Sequence, residues 1–134
     1  MQHSSKPTRI LIADDVALVR RLLRRLLETH AGWEVCGEAA NGEEALELAQ
    51  SLHPDIVILD VLMPTMNGLE ALARMTTLLP EVPALMVSAH DVRQFYEIAK
   101  QAGARGYVLK SDVPLGLTRA VEMVLNNGTY FAPA

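Results

Sequence analysis

Five polar side chains in this 134-residue chain follow or close short apolar runs, and their types are those that handle phosphate and a hard cation. Asp14 and Asp15 follow residues 8–13, Asp60 follows 56–59, Ser88 closes 84–88, and Lys110 follows 106–109. Carboxylates gathered at one place repel and raise one another's pKa unless a cation neutralises them. A hard divalent ion with oxygen ligands answers that need. Mg2+ does so with only one or two protein carboxylates, keeping several waters and a place for a phosphoryl oxygen. In such a site Asp60 can accept a phosphoryl group, Lys110 supplies a point charge for a phosphoryl oxygen, and the Ser88 hydroxyl donates to another. Phosphoryl transfer asks a protein for little beyond this positioning and charge. Singly, each residue has a plainer use: Asp60 or Ser88 as a cap, Lys110 as a solvated cation. What sets them apart as a group is their shared position at the same end of their strands.

The elements that must hold them are legible from period and punctuation. Residues 56–59, Ile-Val-Ile-Leu, are apolar without alternation, the pattern of a strand buried on both faces of a parallel sheet. A carboxylate at the carboxyl end of such a strand lies where open parallel sheets place their ligands. Pro64, Asn67 and Gly68 then turn the chain. Residues 8–13 form a second buried strand. After it Val16, Val19, Leu22, Leu23, Leu26 and Leu27 recur at helical spacing, with Arg20, Arg21, Arg24, Arg25 and Glu28 opposite them as a solvated face, up to Gly32. Residues 33–39 alternate apolar and polar, which suits an edge strand. Asn41-Gly42 leads into a helix to about Leu52, with Ala45, Leu46, Leu48, Ala49 and Leu52 apolar and Pro54 beyond its end. Leu69, Leu72, Met75 and Leu79 mark the next helix. Strand 84–88 follows, then a helix from about Val92 to Ala102 with Phe95, Ile98 and Ala99 inward. Strand 106–109 is last, and Ser111, Asp112 and Pro114 start a final helix through Leu117, Val121, Val124 and Leu125, ending near Asn127-Gly128. Five strands alternating with five helices imply an α/β fold, a parallel sheet with right-handed crossovers and helices on both faces. Because the second strand is the edge-like one, the expected order is 2-1-3-4-5, a flavodoxin-like (βα)5 three-layer sandwich. In that topology all five polar residues point into one crevice.

Length and composition suit one domain over residues 8–128. Residues 1–7 read as a polar, disordered lead, and residues 129–134 as a tail or the start of a linker. Half the residues are hydrophobic and 4% aromatic, as expected for an aliphatic core. A net charge of -4 and an isoelectric point near 5.5 argue against a nucleic-acid surface on this domain, since phosphate binding needs clustered positive charge. The single cysteine, Cys36, has no partner for a disulfide or a thiolate metal site, and a cytoplasmic protein is the natural inference. No apolar run approaches the ~20 residues needed to span a membrane.

The chain resembles the receiver domain of two-component response regulators. The resemblance covers about residues 8–127 and rests on Asp14-Asp15 after a first strand, the block Leu59-Asp60-Val61-Leu62-Met63-Pro64 with Asn67-Gly68, Ser88-Ala89, and Tyr107 before Lys110. It implies that Asp60 is the phosphoacceptor, and that Asp15 and Asp60 bind Mg2+ with the main-chain carbonyl of Leu62 while Asp14 assists through water. It also implies that Ser88 and Tyr107 are the pair that rearranges on phosphorylation. Ser-Ala-His-Asp at 88–91, Gly-Tyr-Val-Leu-Lys at 106–110 and the closing Asn-Gly-Thr-Tyr-Phe are similar to the LuxR/NarL/FixJ subclass, in which a helix-turn-helix DNA-binding domain follows.

On that resemblance the expected function is a phosphorylation-activated switch and not an enzyme, beyond self-catalysed phosphorylation from phosphodonors and slow autodephosphorylation. The expected partners are a sensor histidine kinase or phosphotransfer protein, with a homodimer on phosphorylation as a further expectation. DNA would be met only through a C-terminal domain not present in these 134 residues, and no membrane is involved. The alternative is a stand-alone receiver acting through protein contacts. A phosphatase of the haloacid-dehalogenase kind needs a second aspartate two residues after its nucleophile, where this chain has Leu62. A flavodoxin-type phosphate cradle is opposed by Asp14-Asp15, which would repel phosphate.

Overall fold

In a computed structural model, which describes residues 6–131, β1 (Thr8–Ala13), β2 (Trp33–Ala39), β3 (Ile56–Leu59), β4 (Ala84–Ser88) and β5 (Gly106–Leu109) alternate with α1 (Ala17–Glu28), α2 (Gly42–Leu52), α3 (Gly68–Leu78), α4 (Arg93–Gln101) and α5 (Val113–Leu125). The first five strands pair in parallel in the expected order 2-1-3-4-5. Successive side chains on a strand face opposite ways, and here that period sorts the core into two layers. Leu11, Ala13, Val57, Leu59, Met86 and Tyr107 face α2, α3 and α4, whereas Ile10, Ile12, Ile56, Ile58, Val87 and Val108 face α1 and α5.

Two differences from the sequence reading have simple causes. Tyr130–Phe131 form a sixth strand, β6, parallel to β5, so the sheet runs 2-1-3-4-5-6 where five strands and a tail from residue 129 were expected. Two residues are too few to show a period, and only β5 supplies the pairing partner. The inward faces of two helices are also narrower than their apolar patterns. Leu22 is 56% exposed beside the buried pair Leu23 and Leu27, and Ile98, expected inward, is 47% exposed beside buried Ala99. Consecutive helical residues are ~100° apart, so a helix touching a sheet along one line buries one of them and exposes the other. The expected disordered lead falls largely on residues 1–5, which lie outside those described.

The loop from β3 to α3 is held by close backbone contacts. Thr65 takes φ 68, and the Met66 amide donates to the Pro64 carbonyl at 2.7 Å, a γ-turn of the strained, positive-φ kind. The Met66 carbonyl accepts from the Gly42 amide at 2.8 Å, which seats the start of α2 on this loop. Asn67 caps α3 by accepting from the Glu70 amide at 2.9 Å. A Cβ at Gly68 would overlap the main-chain carbonyl of Asp60. Gly68→Ala is therefore expected to lower the unfolding free energy by at least about 1–3 kcal/mol, the usual cost of overpacking, as urea denaturation would read; an unchanged midpoint would show that the loop gives way freely.

Candidate functional site

Register brings the acidic residues together. β1 pairs with β3 through Ala13 and Leu59, and the Asp60 amide donates to the Ala13 carbonyl at 3.0 Å, so the residues that follow both strands emerge side by side. Carboxylate oxygens of Asp14, Asp15 and Asp60 lie within 4.8 Å of one another. Asp14 is 1% exposed and Asp60 6%, while Asp15 faces solvent. Lys110, just past β5, reaches across β4 to place its ammonium 2.7 Å from Asp14 Oδ2 and 3.3 Å from Asp60 Oδ2. These four sequence-predicted site residues share one cluster, with Lys110 paired to Asp14 and Asp60.

The electrostatics follow from that crowding. Burial, then the charge of Asp14, pushes the Asp60 carboxyl up from 3.8 to about 6, against the opposing pull of Lys110. For Lys110 burial favours the neutral amine, but its hydrogen bond to Asp14 and the charge of Asp60 outweigh this and raise its pKa. Asp14 has both oxygens engaged: Oδ1 accepts from the Val16 amide at 2.9 Å and Oδ2 from Lys110. Asp15 and Asp60 are therefore the carboxylates better placed to take a direct metal bond. An oxygen-only donor set with one solvent-facing carboxylate fits a hard divalent cation such as Mg2+, which retains water. Leu62 follows two residues after Asp60 in the pinned loop, with its side chain half exposed.

Ser88 and Tyr107 both meet at His90. The Ser88 hydroxyl, fully buried, accepts from the His90 amide at 3.0 Å, and the Tyr107 hydroxyl donates to the His90 carbonyl at 3.0 Å. The Tyr107 ring is wholly inside and stacks on Tyr96 of α4 at 4.2 Å between centroids. Burial raises the Tyr107 pKa, offset in part by the neighbouring Ser88 hydroxyl. The Tyr96 hydroxyl is buried near the Asp91 carboxylate without a well-aligned hydrogen bond among the described residues, and burial, then the charge of Asp91, raises its pKa.

Sequence reasoning missed Arg20, which it placed on a solvated face. Its guanidinium donates to the Asp14 carbonyl at 2.6 Å and to Glu38 of β2 at 3.1 Å, and Arg24 also pairs with Glu38 at 2.8 Å, so α1 fastens the acidic loop to the sheet edge. Glu38 lies 18 residues from Arg20, beyond any helical or strand period. Arg21 and Arg25 are exposed, as expected. A cavity of about 630 Å3 lies at the other end of the sheet, lined in part by Thr8, Arg9, Asp55 and Glu81, and contains none of the acidic cluster.

A parallel 2-1-3-4-5 sheet carrying an aspartate cluster and a lysine at its strand ends defines a receiver-type α/β domain. The chain belongs to the response regulator receiver domain family, whose model matches residues 10–122. It is 38% identical over 116 residues to the chemotaxis protein CheY of Thermotoga maritima, covering 87% of this chain and 96% of that protein. It is 33% identical over 132 residues to the transcriptional regulatory protein DegU of Brevibacillus brevis, covering 98% of this chain but 56% of that protein. The chain thus spans little more than half the length of that relative. Among solved structures, a LuxR-family two-component response regulator from Aurantimonas sp. SI85-9A1 superposes with a TM-score of 0.91 at 35% identity, covering 96% of this chain and 91% of that one. Among the described residues no helix is long and apolar enough to cross a membrane.

The raised Asp60 pKa sets a pH dependence for the metal-free protein. Between 3.8 and about 6 the folded protein keeps a proton that the unfolded chain has released, so stability falls as pH rises through that window. Asp60→Asn should abolish this fall and be the more stable protein at pH 7, by about 1–2 kcal/mol once the open side of the crevice is discounted. Urea midpoints in chelator at pH 4, 5, 6 and 7 read both effects; parallel profiles for the two proteins would contradict them.

Proposed function

We propose that this chain is a phosphorylation-operated switch in which Asp60 accepts a phosphoryl group from a phosphohistidine on a sensor kinase or phosphotransfer protein. The observation that carries the reading is the buried Asp60 carboxylate set between Asp14, Asp15 and Lys110. An Asp60 oxygen attacks phosphorus, the phosphorus–nitrogen bond to the donor histidine breaks, and the imidazole leaves with its electron pair. Lys110 neutralises charge on the transferring oxygens, and Arg20 keeps the acidic loop in place. Asp15, Asp60 and the Leu62 carbonyl would hold Mg2+, with Asp14 acting through water, and the ion would supply further neutralisation of the phosphoryl oxygens. The chain is a substrate and switch for its partner rather than an enzyme. An apolar groove of about 390 Å3, lined in part by Val19, Leu22, Leu26 and Val113, reaches Lys110, so a protein seated there would adjoin Asp60.

Switching runs through Ser88 and Tyr107. A phosphoryl group adds about -1.5 to -2 of charge and accepts from the Ser88 hydroxyl, drawing inward the oxygen that accepts from the His90 amide. Residue 90 is also the acceptor for Tyr107, so moving the 88–90 loop alters the tyrosine's bond and the face of α4, β5 and α5. The ring lies inside the core in this structure. The output we favour is transcription control through a LuxR-type DNA-binding domain, as the DegU and LuxR-family resemblances suggest, because the net charge of -4 argues against a nucleic-acid surface on this domain. Coverage of 96% of a CheY supports the second reading, a stand-alone receiver working through protein contacts in the cytoplasm.

Acetyl phosphate labelling tests the chemistry. Labelling should require Mg2+ and vanish in Asp60→Asn with the fold intact, and Asp15→Asn should weaken Mg2+ binding roughly tenfold or more. Undiminished labelling in excess chelator, or stable label on another residue of Asp60→Asn, would overturn the assignment. Ser88→Ala should still take label yet show smaller amide shifts along residues 91–125 with beryllofluoride. A hydrogen bond of ~1.5–3 kcal/mol supplies only part of the ~5.5 needed for a full shift, so some response should remain.

A further inference from the structure

At the edge of the sheet β6 touches both helices that flank β5. Strand alternation sends Tyr130 to the α5 side and Phe131 to the α4 side. The Tyr130 amide donates to the Arg105 carbonyl at 2.9 Å, and its hydroxyl lies against α5 at Gly116, where a Cβ would stand 3.0 Å from the oxygen. A Cβ at Gly106 would come within 2.6 Å of the Tyr130 carbonyl, so glycine is what lets β6 close on β5. Phe131 pairs in register with Tyr107, packs on the cluster that contains it, and has the Lys100 ammonium of α4 4.8 Å from its ring centroid. That helix is lightly held: Ala99 is its only fully buried residue, and Val92 gives it no side-chain cap. Weakly anchored elements are the ones that move.

We propose that β6 is a strap whose seating follows the position of Tyr107, so that the state of the Asp60 site governs how firmly Tyr130 and Phe131 dock on β5. This rests on the switch reading above. The Tyr107 ring shares a sheet face with Phe131, with Ser88 on its β4 side and Tyr96 stacked over it. A ring that leaves the core must swing to the sheet edge, into the space of Phe131 and Lys100. Tyr107 inside and Phe131 seated are compatible; Tyr107 outside and Phe131 seated are not. Drawing Ser88 towards a phosphoryl group makes room for the buried tyrosine and thereby favours the seated strap. Linkage is reciprocal, so a seated Phe131 must tighten binding of a phosphoryl mimic.

Amide hydrogen exchange and fluorine NMR with beryllofluoride and Mg2+ test this. Exchange at the Tyr130 amide should slow about threefold or more on adding the mimic, while exchange at Val57 in β3 stays constant. Phe131→Ala should bind beryllofluoride about three- to tenfold more weakly, Phe131→Leu should recover most of the loss, and urea midpoints should stay near wild type. If Phe131→Ala lowers the midpoint, Lys100→Gln keeps the ring and removes only its cation; it should weaken mimic binding in the same direction. Beryllofluoride that binds the wild type and not Asp60→Asn, with Tyr130 exchange and both variants' affinities unchanged, would overturn the strap and leave the phosphoacceptor reading standing. No binding to the wild type would overturn that reading and the strap with it.

Discussion

Three carboxylates within 4.8 Å of one another are the constraint around which this domain is built. Two unit charges at that separation repel by about 3–4 kcal/mol at an effective dielectric of 20, against a total stability of roughly 5–15 kcal/mol for a domain. Such a cluster persists only if the backbone carrying it cannot relax. The register of β1 with β3 fixes the ends of both strands, and Gly68 lies so close to the Asp60 carbonyl that α3 cannot drift from the site. Lys110 lowers the repulsion with one ammonium shared between Asp14 and Asp60. Negative charge still exceeds positive, the balance that a hard cation would neutralise.

The same crowding divides labour among chemically identical groups. Asp14 is committed to Lys110 and to the Val16 amide, Asp15 faces solvent, and Asp60 is buried with a raised pKa. Around it, Arg20 on one flank and the γ-turn at Thr65 on the other hold loops that would otherwise be free. On the far side His90 accepts from Tyr107 and donates to Ser88, so one residue's backbone ties a polar site to an aromatic core.

Much of this is visible in the chain as written. Residues 56–59 read as a strand buried on both faces, by their shortness, β-branched content and the turn residues after them, and the period change after residue 15 reads as a helix, because side-chain direction is set locally by backbone geometry. Alternation of such units dictates a parallel sheet, and a parallel sheet gathers the residues at its strand ends. The nearness of Asp14, Asp15, Asp60 and Lys110 thus follows from order along the chain.

What only the tertiary structure decided depends on partners that no local period encodes. Arg20 became a support for Asp14 because Glu38, on a strand reached after the whole of α1, lies beneath it. Tyr130 and Phe131 became a strand because β5 offered an unpaired edge and glycines at 106 and 116 left room. Ile98 turned outward and Tyr96 inward because Tyr107 occupies the adjoining core and stacks on one of them. A sequence states which face of an element is apolar; which part of that face is covered is settled by the shape of what packs against it.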